Sequence, residues 1–331
     1  MTASRRLPFQ QDLEAPAGQH AFRQRLLSWY DRNRRDLPWR NRRDPYRVWV
    51  SEIMLQQTRV AAVLGYYARF LRRFPTLEKL AAAREASVLA AWSGLGYYRR
   101  ARMLHAAARK IVHELEGVFP ATSRDLLALP GVGRYTAAAI ASIAFNEPAA
   151  VVDGNVERVM QRLFGRSLSQ REVWVAAEDL LSRNRPGDFN QAMMELGATV
   201  CVPMEPLCAA CPVVRFCSTR GRGSRNPKAK SQRKREICYA LSCQNGEVLL
   251  LKRPKDAALM PGMWELPEIE ARGLRSSDLQ LRHSITITDY RVRVTRTETP
   301  LVSGQWVPAT RVSKLPLTGL ARKILRAAEI I

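Results

Sequence analysis

Cysteine is scarce, acidic residues are scarce, and long apolar runs are missing. Six cysteines in 331 residues are too few for the disulfide scaffold of a small secreted domain. No stretch approaches the roughly 20 apolar residues that a membrane-spanning helix needs. Arg5 and Arg6 are followed not by the apolar core of a signal peptide but by Asp12, Glu14 and two prolines before His20, so a cytoplasmic protein is expected. The shortage of acid is the most telling: 30 Asp and Glu against 53 Lys and Arg leave a net charge of +23. An extended polyanion is the partner such a chain attracts, because each phosphate neutralised also releases condensed counterions. Nucleic acid is therefore expected, and a membrane is not.

The length suggests more than one domain. Residues 1–21 read as an N-terminal extension. From Phe22 to about Leu196, Ala-, Leu- and Arg-rich stretches are broken by Pro and Gly, and strand-like alternation is missing. Asp44 and Pro45 read as a cap and first helical residue. The helix they open is predicted to continue with Trp49, Ile53, Val60, Leu64, Tyr67 and Leu71 on one buried stripe. Residues 218–236 read as a basic linker, without acid from Thr219 to Arg235; it is either a solvated connector or a segment that tracks phosphates. Beyond it, Ile237–Ser242, the turn Gln244-Asn245-Gly246-Glu247 and Val248–Leu251 read as a hairpin with a primed turn. Alternation at Ile285, Ile287, Val292 and Val294 adds strand, and a helix from about Thr318 to Ala328 completes a small α+β domain over residues 237–331.

Three constellations carry chemistry. The run Leu129-Pro-Gly-Val-Gly-Arg-Tyr-Thr-Ala137 lies between two helical stretches. Gly131 and Gly133 would allow a tight turn and bring bare amides to the start of the second helix, where a phosphate is favoured; this is a helix-hairpin-helix pattern. Cys201, Cys208, Cys211 and Cys217 fall within seventeen residues. Four thiolates this close can hold tetrahedral zinc or a four-iron four-sulfur cubane, and one Cys-x-x-Cys pair with two outlying cysteines favours the cubane. Cys238 and Cys243 read as inert strand residues. Finally, Glu52 follows Trp49 by three residues and Val48 by four, which places a carboxyl over an apolar helix surface where burial would raise its pKa. Asp153, before Gly154 and Asn155, reads by itself as a helix N-cap.

Leu37-Pro-Trp-Arg40, Pro45–Thr58, Gly94-Leu-Gly-Tyr-Tyr98, the hairpin, Val152-Asp-Gly-Asn-Val156, Phe189–Gly197 and the cysteine spacing together resemble the MutY adenine DNA glycosylases, closely over residues 22–217. The resemblance implies a mainly α, helix-hairpin-helix glycosylase core with one 4Fe-4S cluster held at residues 201–217. It implies a monomeric base-excision repair enzyme that removes adenine mispaired with 8-oxoguanine or guanine in duplex DNA. Glu52 then stands at the general acid and Asp153 at the carboxylate that stabilises the sugar cation. Tyr135 and Asn155 match residues lining the catalytic pocket, Arg40 one beside the flipped base, and Gln57 and Tyr97 residues that enter the base stack. Residues 237–331 resemble, more loosely, the family's Nudix-like 8-oxoguanine recognition domain. Where the family's recognition motif has Phe-Ser-His, this chain has Ile285-Thr286-Ile287, so Thr286 supplies the hydroxyl. Gly262 and Glu268 have the spacing that opens a Nudix box, but Ser276, Ser277, Gln280 and Leu281 stand at its later positions, which leaves too few carboxylates for a magnesium-dependent hydrolase. An endonuclease III-like lyase would carry a lysine where this chain has Tyr135, so a monofunctional enzyme is expected. A non-catalytic DNA-binding protein would not need both Glu52 and Asp153.

Overall fold

The computed structural model describes residues 13, 15–221, 233–270, 279–285 and 288–331. By contact the chain falls into two compact units, Met1–Ile53 with Val118–Lys228 and Met54–Gly117 with Ala229–Ile331. This division is not the one drawn from sequence, which kept residues 22–217 together. The chain leaves the first unit partway along a helix and returns after 64 residues, and no change in composition marks either crossing.

The first unit holds α1 (Pro16–Asn33), most of α2 (Pro45–Leu55) and, further along the chain, five more α-helices among the described residues. α1 starts within the stretch read as an extension, with proline in its first turn, where the missing N–H costs nothing. α2 opens as expected: Asp44 Oδ1 accepts from the Arg47 amide at 2.8 Å. The aromatic and aliphatic side chains Phe22, Leu26, Tyr30, Val159, Met160, Phe189, Leu196 and Phe216 build one core, each worth about 1.5–3 kcal/mol of burial.

The helix predicted to run from Pro45 past Leu71 is two helices. It stops at Leu55 and resumes as α3 (Val60–Arg73), because Gln57 takes a left-handed conformation with φ 56° that no α-helix can contain. The break rotates the stripe, so that Val63, Tyr67, Phe70 and Leu71 are buried in α3 while Leu64 is exposed. The second unit continues through α4 (Leu77–Ala81), α5 (Glu85–Trp92) and α6 (Arg99–Glu114).

Back in the first unit, α7 (Ser123–Leu126) and α8 (Arg134–Phe145) enclose the Gly-rich hairpin. α9 (Gly154–Phe164), α10 (Gln170–Leu180) and α11 (Pro186–Thr199) follow. α10 begins with a capping box in which Ser169 and Glu172 exchange hydrogen bonds.

In the second unit, strand order β3-β2-β1-β6-β5 gives a mixed sheet, with β4 also on β1 and β7 also on β2. The strands are β1 (Arg233–Gln244), β2 (Glu247–Lys252), β3 (Trp264–Glu265), β4 (Glu268–Ile269), β5 (Leu279–Ile285), β6 (Thr288–Thr297) and β7 (Gln305–Pro308). β1 and β2 form the expected hairpin, Gln244 opposite Glu247, and Asn245 and Gly246 both have positive φ, as a primed turn requires. β1 starts at Arg233, inside the stretch read as linker; residues 222–232 lie outside the described residues. β1 pairs in parallel with β6 and β5 antiparallel with β6, Ile285 opposite Thr288. Cys238 and Cys243 are strand residues, the first buried and the second exposed. After α12 (Ala309–Val312), the terminal helix α13 (Gly319–Ala327) is capped by Thr318. It lays Leu320, Ile324 and Leu325 on a core with Leu241, Val248, Leu250, Trp264, Val292 and Val294. No helix among the described residues is long and apolar enough to cross a membrane.

Candidate active site

Glu52 lies on the last turns of α2 and is 5% exposed. Its neighbours on that helix, Trp49, Val50, Ile53 and Met54, are buried and apolar, so little of the residue is open to solvent. The hydroxyl of Tyr135, from the first turn of α8, donates to Glu52 Oε2 at 2.7 Å. Burial is the largest influence on this carboxyl and pushes its pKa up from 4.5 to about 7. The Tyr135 hydrogen bond opposes the rise, the charge of Asp153 adds to it, and the charge of Arg40 pulls against it. The phenol of Tyr135 is itself pushed well above its ordinary range, by burial first and then by the two carboxylates. The phenol therefore keeps its proton and offers it to the carboxyl as a hydrogen bond.

Asp153 caps α9, as expected. Its Oδ1 accepts from the amides of Asn155 and Val156, at 2.9 and 2.8 Å, and its Oδ2 accepts from Asn155 Nδ2 at 2.9 Å. Three donors suit an ionised, acceptor-only carboxylate and fix its orientation. Asn155 is held in turn by Arg158, whose Nη2 donates to Asn155 Oδ1 at 2.9 Å and to the Gly197 carbonyl at 2.7 Å. Gly197 allows this approach, since a Cβ there would stand 2.6 Å from that of Asn155.

Arg40 is tied into a buried ion pair that the sequence reading missed. Glu195, on α11, is 1% exposed and accepts from Arg35 Nε and Nη2 at 2.7 and 2.8 Å and from Arg40 Nη2 at 2.8 Å. Burial pushes the Glu195 carboxyl up, but the two guanidinium groups outweigh it and hold it at about 2. Arg40 also lies over the ring of Tyr30, 5.5 Å from its centroid. The signal was available: Glu195 is the one acid between Phe189 and Gly197, in a run otherwise fit for a core helix.

The hairpin lies just before α8. Gly131 has φ 75°, open to glycine at little cost. Gly133 has φ −96° and precedes α8 in ordinary extended backbone, so the turn itself requires only the first of the two glycines. No side chain caps α8, which leaves its first amides available to an anion.

The four cysteines sit on the chain after α11, on and around two 3-10 turns, Cys208–Ala210 and Val214–Phe216. Cys201, Cys211 and Cys217 pack against the core of the first unit. N–H groups address the sulfurs: Arg162 Nη1 lies 3.2 Å from Cys201 Sγ and the Arg220 amide 3.4 Å from Cys217 Sγ. Burial raises the Cys211 thiol to about 11, and burial with the charges of Cys217 and Cys201 raises Cys208. Arg158 links this loop to the carboxylate site, because its Nε donates to the Cys201 carbonyl at 2.9 Å.

Glu52, Tyr135, Asp153, Asn155 and Arg40 are thus brought together in the first unit. Gln57 and Tyr97 belong to the second, on two loops that meet at Arg100, and both are exposed with positive φ. Thr286 lies outside the described residues.

The profile of the HhH-GPD superfamily of base excision DNA repair proteins matches residues 50–181. The adenine DNA glycosylase of Mus musculus is 43% identical over 312 residues, which cover 75% of this chain and 60% of the relative. That of Homo sapiens is 52% identical over 217 residues, 61% of this chain and 40% of the relative. The chain therefore spans 60% or less of the length of these two curated relatives. Among solved structures, a non-covalent endonuclease III–DNA complex is 24% identical with a TM-score of 0.54, covering 63% of this chain and 99% of that one, and shows a shared fold. A thermostable thymine-DNA glycosylase is 33% identical with a TM-score of 0.57, covering 61% of this chain and 96% of that one. Sharing that much with a glycosylase spanned almost end to end, and matching the profile across the hairpin and both carboxylates, the chain belongs to the HhH-GPD superfamily of base excision DNA repair proteins.

Proposed function

We propose that this protein is a monofunctional adenine DNA glycosylase that acts on adenine mispaired with 8-oxoguanine or guanine in duplex DNA. The observation that carries the reading is the buried Glu52 carboxyl, with a pKa of about 7, bonded to Tyr135 and close enough to Asp153 to feel its charge. Adenine leaves poorly as an anion, so a carboxylic acid must protonate a ring nitrogen while the C1′–N bond lengthens. Glu52 is protonated in a large fraction of molecules at neutral pH and serves as that acid. The deoxyribose becomes cationic as the bond breaks, and Asp153, oriented by three N–H donors, stabilises it from the other side, as paired carboxylates do in glycosidases. Tyr135 holds the Glu52 carboxyl in one rotamer, and Asn155 does the same for Asp153.

Tyr135 offers no amine, so base release should not be coupled to strand cleavage. The test is free adenine and intact strand measured together, on duplexes with adenine opposite 8-oxoguanine, guanine or thymine. Adenine is expected from the first two, with nicking only after alkali. Release from none of them would overturn the reading, and nicking that keeps pace with release would overturn its monofunctional part.

The cysteine loop fits a four-iron four-sulfur cluster. One Cys-x-x-Cys pair with two outlying cysteines suits a cubane, in which each thiolate binds a different iron. Four half-buried cysteines, with N–H donors aimed at the sulfurs of Cys201 and Cys217, are a set that a cationic cluster would complete. When bound, the cluster would contribute its binding free energy to the folding of residues 201–217. Iron and sulfide near four per chain are expected, and Cys208→Ser should lower both, together with soluble yield. Stoichiometric zinc after anaerobic purification would contradict the assignment.

The β-sheet of the second unit supports the reading of residues 237–331 as a Nudix-like domain that recognises the base opposite adenine.

A further inference from the structure

Arg100 stands in the first turn of α6, half-buried, where it joins two loops. Toward the loop between α2 and α3, its Nη1 donates to the carbonyls of Met54, at 3.1 Å, and Gln56, and its Nη2 to Thr58 Oγ1 at 3.3 Å. Toward the loop before α6, Nη2 donates to the Gly96 carbonyl at 3.4 Å. Its guanidinium also lies over the rings of Tyr97 and Trp92, 5.2 and 5.6 Å from their centroids. Trp92 reinforces the second loop, with Nε1 donating to the Gly96 carbonyl at 3.1 Å.

The acceptors are placed tellingly. Those at positions 56 and 58 bracket Gln57, and that at position 96 precedes Tyr97. Gln57 and Tyr97 are exposed, and both hold left-handed backbone, at φ 56° and 49°, which a non-glycine residue keeps only where its surroundings impose it. An arginine suits the task because its rigid planar fork can donate in several directions while its face stacks on aromatic rings. Burial lowers its pKa to about 10, which leaves it charged at neutral pH.

We propose that Arg100 is a positioning residue that locks the Gln57 and Tyr97 loops into one rigid element, so that both side chains are presented together to the duplex. The proposal rests on the reading of the protein as a DNA glycosylase that extrudes its target base. Arg100 does not touch the reacting atoms; it sets how two exposed side chains meet the base stack.

The test is a double-mutant cycle in the full chain, read in two ways. Arg100→Leu is expected to slow single-turnover adenine release from the 8-oxoguanine duplex by about tenfold or more, and to have under about a twofold further effect when Gln57→Ala and Tyr97→Ala are already present. Losses that multiply in full, or no loss from Arg100→Leu, would overturn the proposal. Arg100→Lys keeps the charge but not the fork, and serves if the leucine variant does not fold; an intermediate loss is expected, and wild-type rate with it would count against the proposal. The second readout needs no activity: hydrogen exchange without DNA should speed up together in residues 55–59 and 95–98 of the Arg100 variants. Exchange altered in neither loop, or in one alone, would overturn the proposal. Absence of adenine release from the wild type would instead sink the glycosylase reading, and leave the loop-locking claim to be decided by exchange.

Discussion

Glu52→Gln is expected to abolish adenine release, by about 10²–10⁴-fold in the single-turnover rate, while the affinity for mismatched duplex changes little. The amide keeps the shape of the carboxyl and can still accept from the Tyr135 hydroxyl, which in the native chain lies 2.7 Å from Oε2. It also removes a costly group: a carboxyl 5% exposed, displaced upward in pKa by burial, loses stability whenever it ionises. The variant should therefore be at least as resistant to denaturant as the wild type at pH 8. That gain separates a catalytic from a structural role. If Glu52 merely held α2 in place, activity and stability would fall together. Measured side by side, an inactive protein with unchanged folding supports the acid role, and turnover near wild type excludes it.

Much of this site could be read from the residues, and what could not has physical causes. Asp153 is a cap wherever Asp-Gly-Asn precedes an apolar periodic run, and Asn245-Gly246 dictates its turn; both depend on near neighbours in the chain. The exposure of Leu64 depended instead on one left-handed residue, Gln57, which interrupts a hydrophobic period that by itself reads as continuous. Glu195 was passed over because a single acid in a helix is usually solvated, and only the fold shows that Arg35 and Arg40, some 155–160 residues away, close on it. The joining of Gln57 to Tyr97 through Arg100 is likewise a tertiary fact. Carboxylates distant in sequence say nothing about mutual approach, so the pairing of Glu52 with Asp153 rests on family resemblance; the structure adds that the charge of Asp153 acts on Glu52.

The second large effect is expected at Glu195. Glu195→Gln removes the counter-charge that Arg35 and Arg40 share, and Arg40, with 9% of its side chain exposed, has no ready access to water. Removing one partner of a buried pair leaves the other charge uncompensated, typically at about 3–5 kcal/mol. Arg35 is 39% exposed and can turn to solvent, so the lower end, about 3 kcal/mol, is expected here. Urea unfolding followed by far-ultraviolet circular dichroism would measure it, and a shift worth under about 1 kcal/mol would mean that the pair is no stronger than a surface one. Acid should mimic the substitution. The folded carboxyl is held at about 2 against an ordinary 4.5, so its contribution is complete above 4.5 and lost as pH falls toward 2. The Gln variant should lack that part of the acid sensitivity. Arg40 is also one of the charges acting on Glu52, so slower excision is expected alongside lower stability.

The central claim, that Glu52 delivers the proton that lets adenine leave, is tested most directly by the pH dependence of adenine release from the 8-oxoguanine duplex. With enzyme below saturation, the second-order rate constant reports the free enzyme's acid. Glu52 loses its proton as pH rises through about 7, so the rate constant should decline above that value, approaching tenfold per pH unit, and the residual activity of Glu52→Gln should show no such decline. A rate constant that stayed level or rose between pH 6.5 and about 8.5, across the titration expected for a buried carboxyl, would contradict the assignment of Glu52 as the acid.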